Sequence, residues 1–81
     1  MASKEQIREF FQKAQYHDWY HMMSDDHGVY KRGRESMSRL RAQASHEPVL
    51  EKILNAWANY YNINKPNGER VEPKLEDYID V

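Results

Sequence analysis

The stretch from His17 to His27, HDWYHMMSDDH, decides how this chain is divided. Its eleven residues hold three of the four histidines, three carboxylates (Asp18, Asp25, Asp26) and two large aromatics, Trp19 and Tyr20. Read as one piece, it is a cluster of ligands. Read for helix signals, it divides at Ser24. Ser and Asp side chains accept hydrogen bonds from the free N–H groups of a first helical turn, and acids there suit the positive end of the helix dipole. HDWYHMM then becomes the aromatic end of one helix, and SDDH the acidic start of the next. On this reading the stretch is a corner.

Upstream of the corner, Ser3 and Gln6 have the spacing of a capping box. Ile7, Phe10, Phe11, Ala14 and His17 follow at a helical period. The stripe then shifts to Tyr16, Trp19, Tyr20 and Met23. This predicts a first helix over about 4–23, either buried on two sides or covered at its aromatic end by another element. Downstream, a second helix is expected over about 25–44, with Val29, Gly33, Met37 (or Ser36), Leu40 and Ala44 inward. Gly28 and Gly33 each cost up to about 1 kcal/mol in a helix interior. A loop at 24–28 is therefore the alternative at Gly28, whereas Gly33 falls on the apolar stripe and suits close packing.

Ser45-His46-Glu47-Pro48 is a third start signal, since Pro is tolerated in a first helical turn. Val49, Leu50, Ile53, Leu54, Trp57 and Tyr60 or Tyr61 then recur at helical spacing, and no Gly or Pro interrupts residues 49–61. Turn formers from Asn62 to Gly68 end this helix. The segment 69–81, with Pro73, Leu75, Tyr78 and Ile79, is expected to form either one helical turn docked on the core or an extended arm. The fold expected is all-α: a small three-helix bundle, up-down-up, over 1–66, followed by a short acidic C-terminal arm at 67–81.

With 81 residues the chain has room for one domain. A domain this small buries only about 60% of its unfolded surface, which leaves a thin margin of stability that a homodimer would relieve. Aromatics make up 12% of the residues, and the polar tips of Trp and Tyr need partners when buried. Cysteine is absent, which excludes disulfides and thiolate metal sites. MASKEQ lacks the apolar core of a signal peptide, and no apolar run approaches the roughly 20 residues that span a bilayer. A cytoplasmic protein without membrane association is the expectation.

The formal net charge of −1 hides an asymmetry. Lys31, Arg32, Arg34, Arg39 and Arg41 stand against Glu35 in the middle of the chain. Glu69, Glu72, Glu76, Asp77 and Asp80 stand against Arg70 and Lys74 near its end. On a helix, Lys31, Arg34 and Arg41 project to one side, and Arg32 and Arg39 to another. Such a helix can track phosphates, and Tyr30 can stack on a base. Against nucleic acid stands the slightly acidic whole, with a pI near 6.4. The bland alternative is a solvated face paired with Glu35 and the acidic tail.

His17 and His21 are four apart, a workable spacing for two imidazole ligands on one helix face, and Asp18, Asp25, Asp26 or His27 could complete a zinc shell. The HExxH pattern is absent, and capping explains the aspartates. No metal and no cofactor is therefore the expectation. The chain has no Gly-rich phosphate loop, no GxSxG and no cysteine nucleophile, and a bundle of this size offers little concave surface. A non-enzyme is expected. The surface expected to contact a protein partner is Trp19, Tyr20, Tyr30, Lys31, Arg34 and Arg41, since interfaces favour Tyr, Trp and Arg. Nucleic acid or a nucleotide is the alternative ligand.

Residues 18–33, DWYHMMSDDHGVYKRG, combine Trp19-Tyr20, Ser24-Asp25-Asp26-His27, Val29-Tyr30 and Lys31-Arg32-Gly33. This pattern, about a fifth of the chain, resembles small proteins of tailed bacteriophages. The resemblance implies a phage accessory protein, made in the cytoplasm of an infected bacterium, that binds and blocks or adapts a host or viral complex. It assigns no catalytic role to any of these positions.

Overall fold

The computed structural model describes residues 2–17, 19, 25–62 and 66–80. The first helix, α1, runs from Lys4 to Tyr16. Its start is the expected capping box. The Gln6 N–H donates to Ser3 Oγ at 3.1 Å, and the Ser3 N–H donates to Gln6 Oε1 at 2.8 Å. Ile7, Phe10, Phe11 and Ala14 form its buried stripe.

The end of α1 corrects the expected range of 4–23. His17 already has extended backbone angles, φ −59° and ψ 139°. Trp19 folds back so that its indole N–H donates to the Ala14 carbonyl at 2.9 Å. That carbonyl is one of the four that a helix leaves unpaired at its end. The aromatic stripe after Tyr16 is thus no helix continuation at Trp19. Tyr20, Met23 and Ser24, where the sequence divides the stretch, lie outside the described residues.

The second helix, α2, spans His27–Ala44. Asp26 caps it, its carboxylate accepting from the Val29 N–H at 3.1 Å. Gly28 lies inside the first turn, so it does not break the segment. Gly33, Met37, Leu40 and Ala44 are buried, and Val29 and Ser36 are half-buried. Three residues then reverse the chain. The Ser45 N–H donates to Ala42 O at 3.3 Å and the Glu47 N–H to Ala44 O at 3.0 Å. Between them His46 takes a left-handed conformation, φ 66°.

The third helix, α3, spans Pro48–Tyr60, with Pro in its first turn and Leu50, Ile53, Leu54 and Trp57 buried. Its N-cap, Glu47, makes no capping hydrogen bond with its side chain. The carboxylate instead accepts from the Ala2 N–H at 3.1 Å, which ties the start of the chain to the α2–α3 turn. α3 packs against both α1 and α2, and the architecture is an all-α three-helix bundle. Trp57, Phe10, Ile53 and Leu54 are the largest fully buried side chains. Each such burial contributes on the order of 1.5–3 kcal/mol.

The acidic segment takes the first of its two expected forms. Short 3-10 turns at Asn67–Glu69 and Leu75–Asp77 shape it, and Pro73 and Ile79 are buried. Ile79 belongs to the same core cluster as the helices, and the Tyr78 ring lies 6.2 Å from that of Phe11. Glu69, Glu72, Glu76, Asp77 and Asp80 all remain exposed.

Aromatic rings close one end of the core. Tyr61 stacks on Trp19 (5.7 Å, 19°) and on Trp57 (5.8 Å, 24°). The Tyr61 hydroxyl donates to the Gln15 carbonyl at 3.3 Å. Trp57 Nε1 is buried and finds no hydrogen-bond partner among the described residues. Among those residues, no helix is long and apolar enough to cross a membrane.

Candidate functional site

The unbroken course of α2 sets the geometry of its charges. At about 100° per residue, positions 30, 34 and 41 fall on one flank and position 31 lies next to them, further outward. Positions 32, 36, 39 and 43 fall on the other flank, and the buried stripe runs between the two. Arg34 Nη1 donates to the Tyr30 hydroxyl at 3.3 Å, and its guanidinium lies 5.8 Å from the centre of the Tyr30 ring. Both contacts are at the long end of their ranges, so they orient Arg34 more than they hold it. Arg41 borders a shallow hollow of about 290 Å³ with Ser45, Glu51 and Asn55.

Lys31, Arg32, Arg34, Arg39 and Arg41 are all exposed, and among the described residues none of them is ion-paired. The ion pair of Arg8 with Glu5, at 3.9 Å, lies on α1. The acidic segment does not compensate α2. It packs beside α1, where Ala2, Lys4 and Ile7 line a hollow with residues 76–80. The basic residues form the solvated face of the alternative reading, and the pairing expected with Glu35 and the tail is not seen among the described residues. The two charge clusters are held apart because Ile79 and Tyr78 anchor the tail next to Phe11.

Of the residues expected to contact a partner, Lys31, Arg34 and Arg41 are exposed and Tyr30 is half-buried. Trp19 is corrected: at 8% exposure it is a core residue, stacked on Tyr61 and bonded to Ala14, and it offers no surface. Tyr20 lies outside the described residues.

The metal candidates fall partly outside the described residues. His17 is the C-cap of α1 rather than part of the helix, so it does not begin a helical i, i+4 pair. Its Nδ1 lies 3.0 Å from Ser36 Oγ, and its ring meets that of Trp19 edge-on at 5.1 Å. His21 is outside the described residues, and Asp25 is exposed. Among the described residues, no group of three or more His, Asp or Glu converges as a metal site would require.

The structure also forms a cleft of about 490 Å³ between the end of α1 and the second flank of α2. Lys13, Tyr16 and His17 line it from one side, and Ser36, Arg39, Leu40 and Gln43 from the other. Arg39 carried a sequence signal through the basic segment, His17 as a metal candidate, and Tyr16, Ser36 and Leu40 through the helical stripes, but none of these signals pointed to a shared cleft. Lys13 and Gln43 carried none, because a shared cleft depends on how two helices dock.

Comparison with protein-family models, with curated proteins and with solved structures finds no match to this chain.

Proposed function

We propose that this chain is a non-enzymatic interaction module that engages an acidic surface of a macromolecular partner through Tyr30, Lys31, Arg34 and Arg41 of α2. One observation carries the reading: these cations are exposed and not ion-paired among the described residues, while the chain's own acidic segment is anchored elsewhere. A partner carboxylate then meets cations that have no pair to break among the described residues. Charges so displayed steer encounter and set register. The resemblance of residues 18–33 to small tailed-phage proteins points to a phage accessory protein, and to a host or viral complex in the bacterial cytoplasm as the class of partner.

The test compares capture from bacterial lysate by three proteins. They are the wild type, the triple reversal Lys31→Glu, Arg34→Glu, Arg41→Glu, and a control reversal in the tail, Glu76→Lys with Asp77→Lys. A partner retained by wild type and control but lost by the triple reversal supports the reading. Equal capture by all three, or nothing specific with any, ends it.

Nucleic acid is the second reading, favoured by the half-buried Tyr30 ring beside exposed cations. Its mark is salt dependence, because each neutralised phosphate releases a counterion. Oligonucleotide binding that is absent at low salt, or indifferent to salt, eliminates it.

A further inference from the structure

The cleft between α1 and α2 has a composition that none of the readings above uses. Lys13 and Arg39 supply two cations from different helices, and no carboxylate is among the described residues that line it. Ser36 and Gln43 add a hydroxyl and an amide, and Leu40 an apolar patch. At the rim stands Tyr16, 78% exposed, the most open aromatic ring among the described residues. One wall is held in place by the core: His17 contacts Ser36 across the cleft and is braced by buried Trp19. The volume, about 490 Å³, falls within the range of small-ligand sites, which is roughly 300–1,000 Å³.

We infer that this cleft is a binding site for a nucleoside monophosphate, with the phosphate between Lys13 and Arg39 and the base against Tyr16. Arg presents a planar fork that fits phosphate oxygens in pairs, and Lys adds a compact point charge. The Ser36 hydroxyl and the Gln43 amide are neutral groups suited to the remaining phosphate and ribose oxygens. An exposed tyrosine ring gives a base a face on which to stack. A free acidic peptide would use the cations but leave the ring idle, which is why a ligand with both a phosphate and a planar ring is the better match. The site lies on the flank of α2 opposite Tyr30, Arg34 and Arg41, so it stands or falls independently of the partner surface.

The experiment is an NMR titration of the isotope-labelled full chain with AMP, adenosine and inorganic phosphate, each up to millimolar concentration. Saturable shifts with AMP at Lys13, Tyr16, Ser36, Arg39 and Gln43 are expected. Adenosine and inorganic phosphate should each bind at least about tenfold more weakly. Lys13→Ala and Arg39→Ala should each weaken AMP by about tenfold, the consequence of losing one charge-assisted contact. Tyr16→Ala should bring AMP down to the level of inorganic phosphate. All three side chains are exposed, so unchanged melting temperatures will show that the fold is intact. Arg34→Ala, on the other flank, should leave AMP binding unchanged. The proposal is overturned by the absence of saturable shifts, or by AMP binding that survives Lys13→Ala and Arg39→Ala. Equal affinity for adenosine or for inorganic phosphate overturns it too, as does an equal loss in Arg34→Ala.

Discussion

The Trp19 indole N–H donates to the Ala14 carbonyl across a 2.9 Å hydrogen bond, and this contact seals the end of α1. The same ring stacks on Tyr61 and is 8% exposed, so it both terminates a helix and fills the core. Trp19→Phe keeps most of the packing and loses the bond, for about 0.5–1.5 kcal/mol. Trp19→Ala loses both, for about 3–5 kcal/mol. Urea denaturation measures the two. Equal losses would show that the bond, not the packing, is what Trp19 contributes.

The first turns of α1 and α2 are each capped by a side chain at the N-cap position, Ser3 and Asp26. Asp26→Ala removes the acceptor for the Val29 N–H and is expected to lower stability by about 0.5–2 kcal/mol, as is Ser3→Ala for the Gln6 N–H. Asp26→Asn keeps an acceptor and should cost less. Thermal unfolding of the three variants against wild type tests the order.

His46 turns the chain between α2 and α3 with φ at 66°, a region in which a β-carbon is strained. Glycine lacks that penalty. His46→Gly is expected to raise stability by about 0.5–1 kcal/mol despite its looser unfolded chain, whereas His46→Val, β-branched, is expected to destabilise. A lower denaturation midpoint for His46→Gly would mean that the imidazole contributes more than the strain costs.

Burial first, and then the neighbouring charge of Asp77, push the Tyr78 phenol above its usual 10.0. The folded protein therefore holds this proton more tightly than the unfolded chain does. The associated stability is fully present below the unfolded value and is lost as pH rises through the folded one. Stability measured across the alkaline range should fall as pH rises above about 10, and Tyr78→Phe should flatten part of that decline. An identical decline in Tyr78→Phe would place its origin in other groups.

The cations of α2 contribute little to the fold, since they are exposed and not ion-paired among the described residues. Reversing Lys31, Arg34 and Arg41 one at a time should change stability by no more than about 0.5 kcal/mol each. Chemical denaturation checks this. A loss above about 2 kcal/mol for any one of them would mean that it has a structural role.

The sequence makes α3 easy to read. Its stripe of Leu50, Ile53, Leu54 and Trp57 runs without a Gly or Pro, and Pro48 marks its start. The caps of α1 and α2 are equally local, and Ser3 and Asp26 act within three residues of themselves. The end of α1 is different. Tyr16, Trp19, Tyr20 and Met23 are spaced as a helix would space them, yet Trp19 is fixed by Tyr61, more than forty residues away. Periodicity cannot distinguish a ring buried by its own helix from one buried by another element. The same limit hides the docking of Ile79 and the meeting of Lys13 with Arg39. The basic character of α2 could be read from composition, but its separation from the acidic segment depended on where Tyr78 finds Phe11.

The chain's two tryptophans both stack on Tyr61, one arriving from beyond α1 and the other from within α3. Near-ultraviolet circular dichroism responds to fixed ring packing and vanishes when packing loosens, even where helices persist. The three-ring stack thus gives the protein a built-in optical gauge. Its signal reports whether the segment after α1 is seated on α3, separately from the helical content that the far-ultraviolet spectrum records.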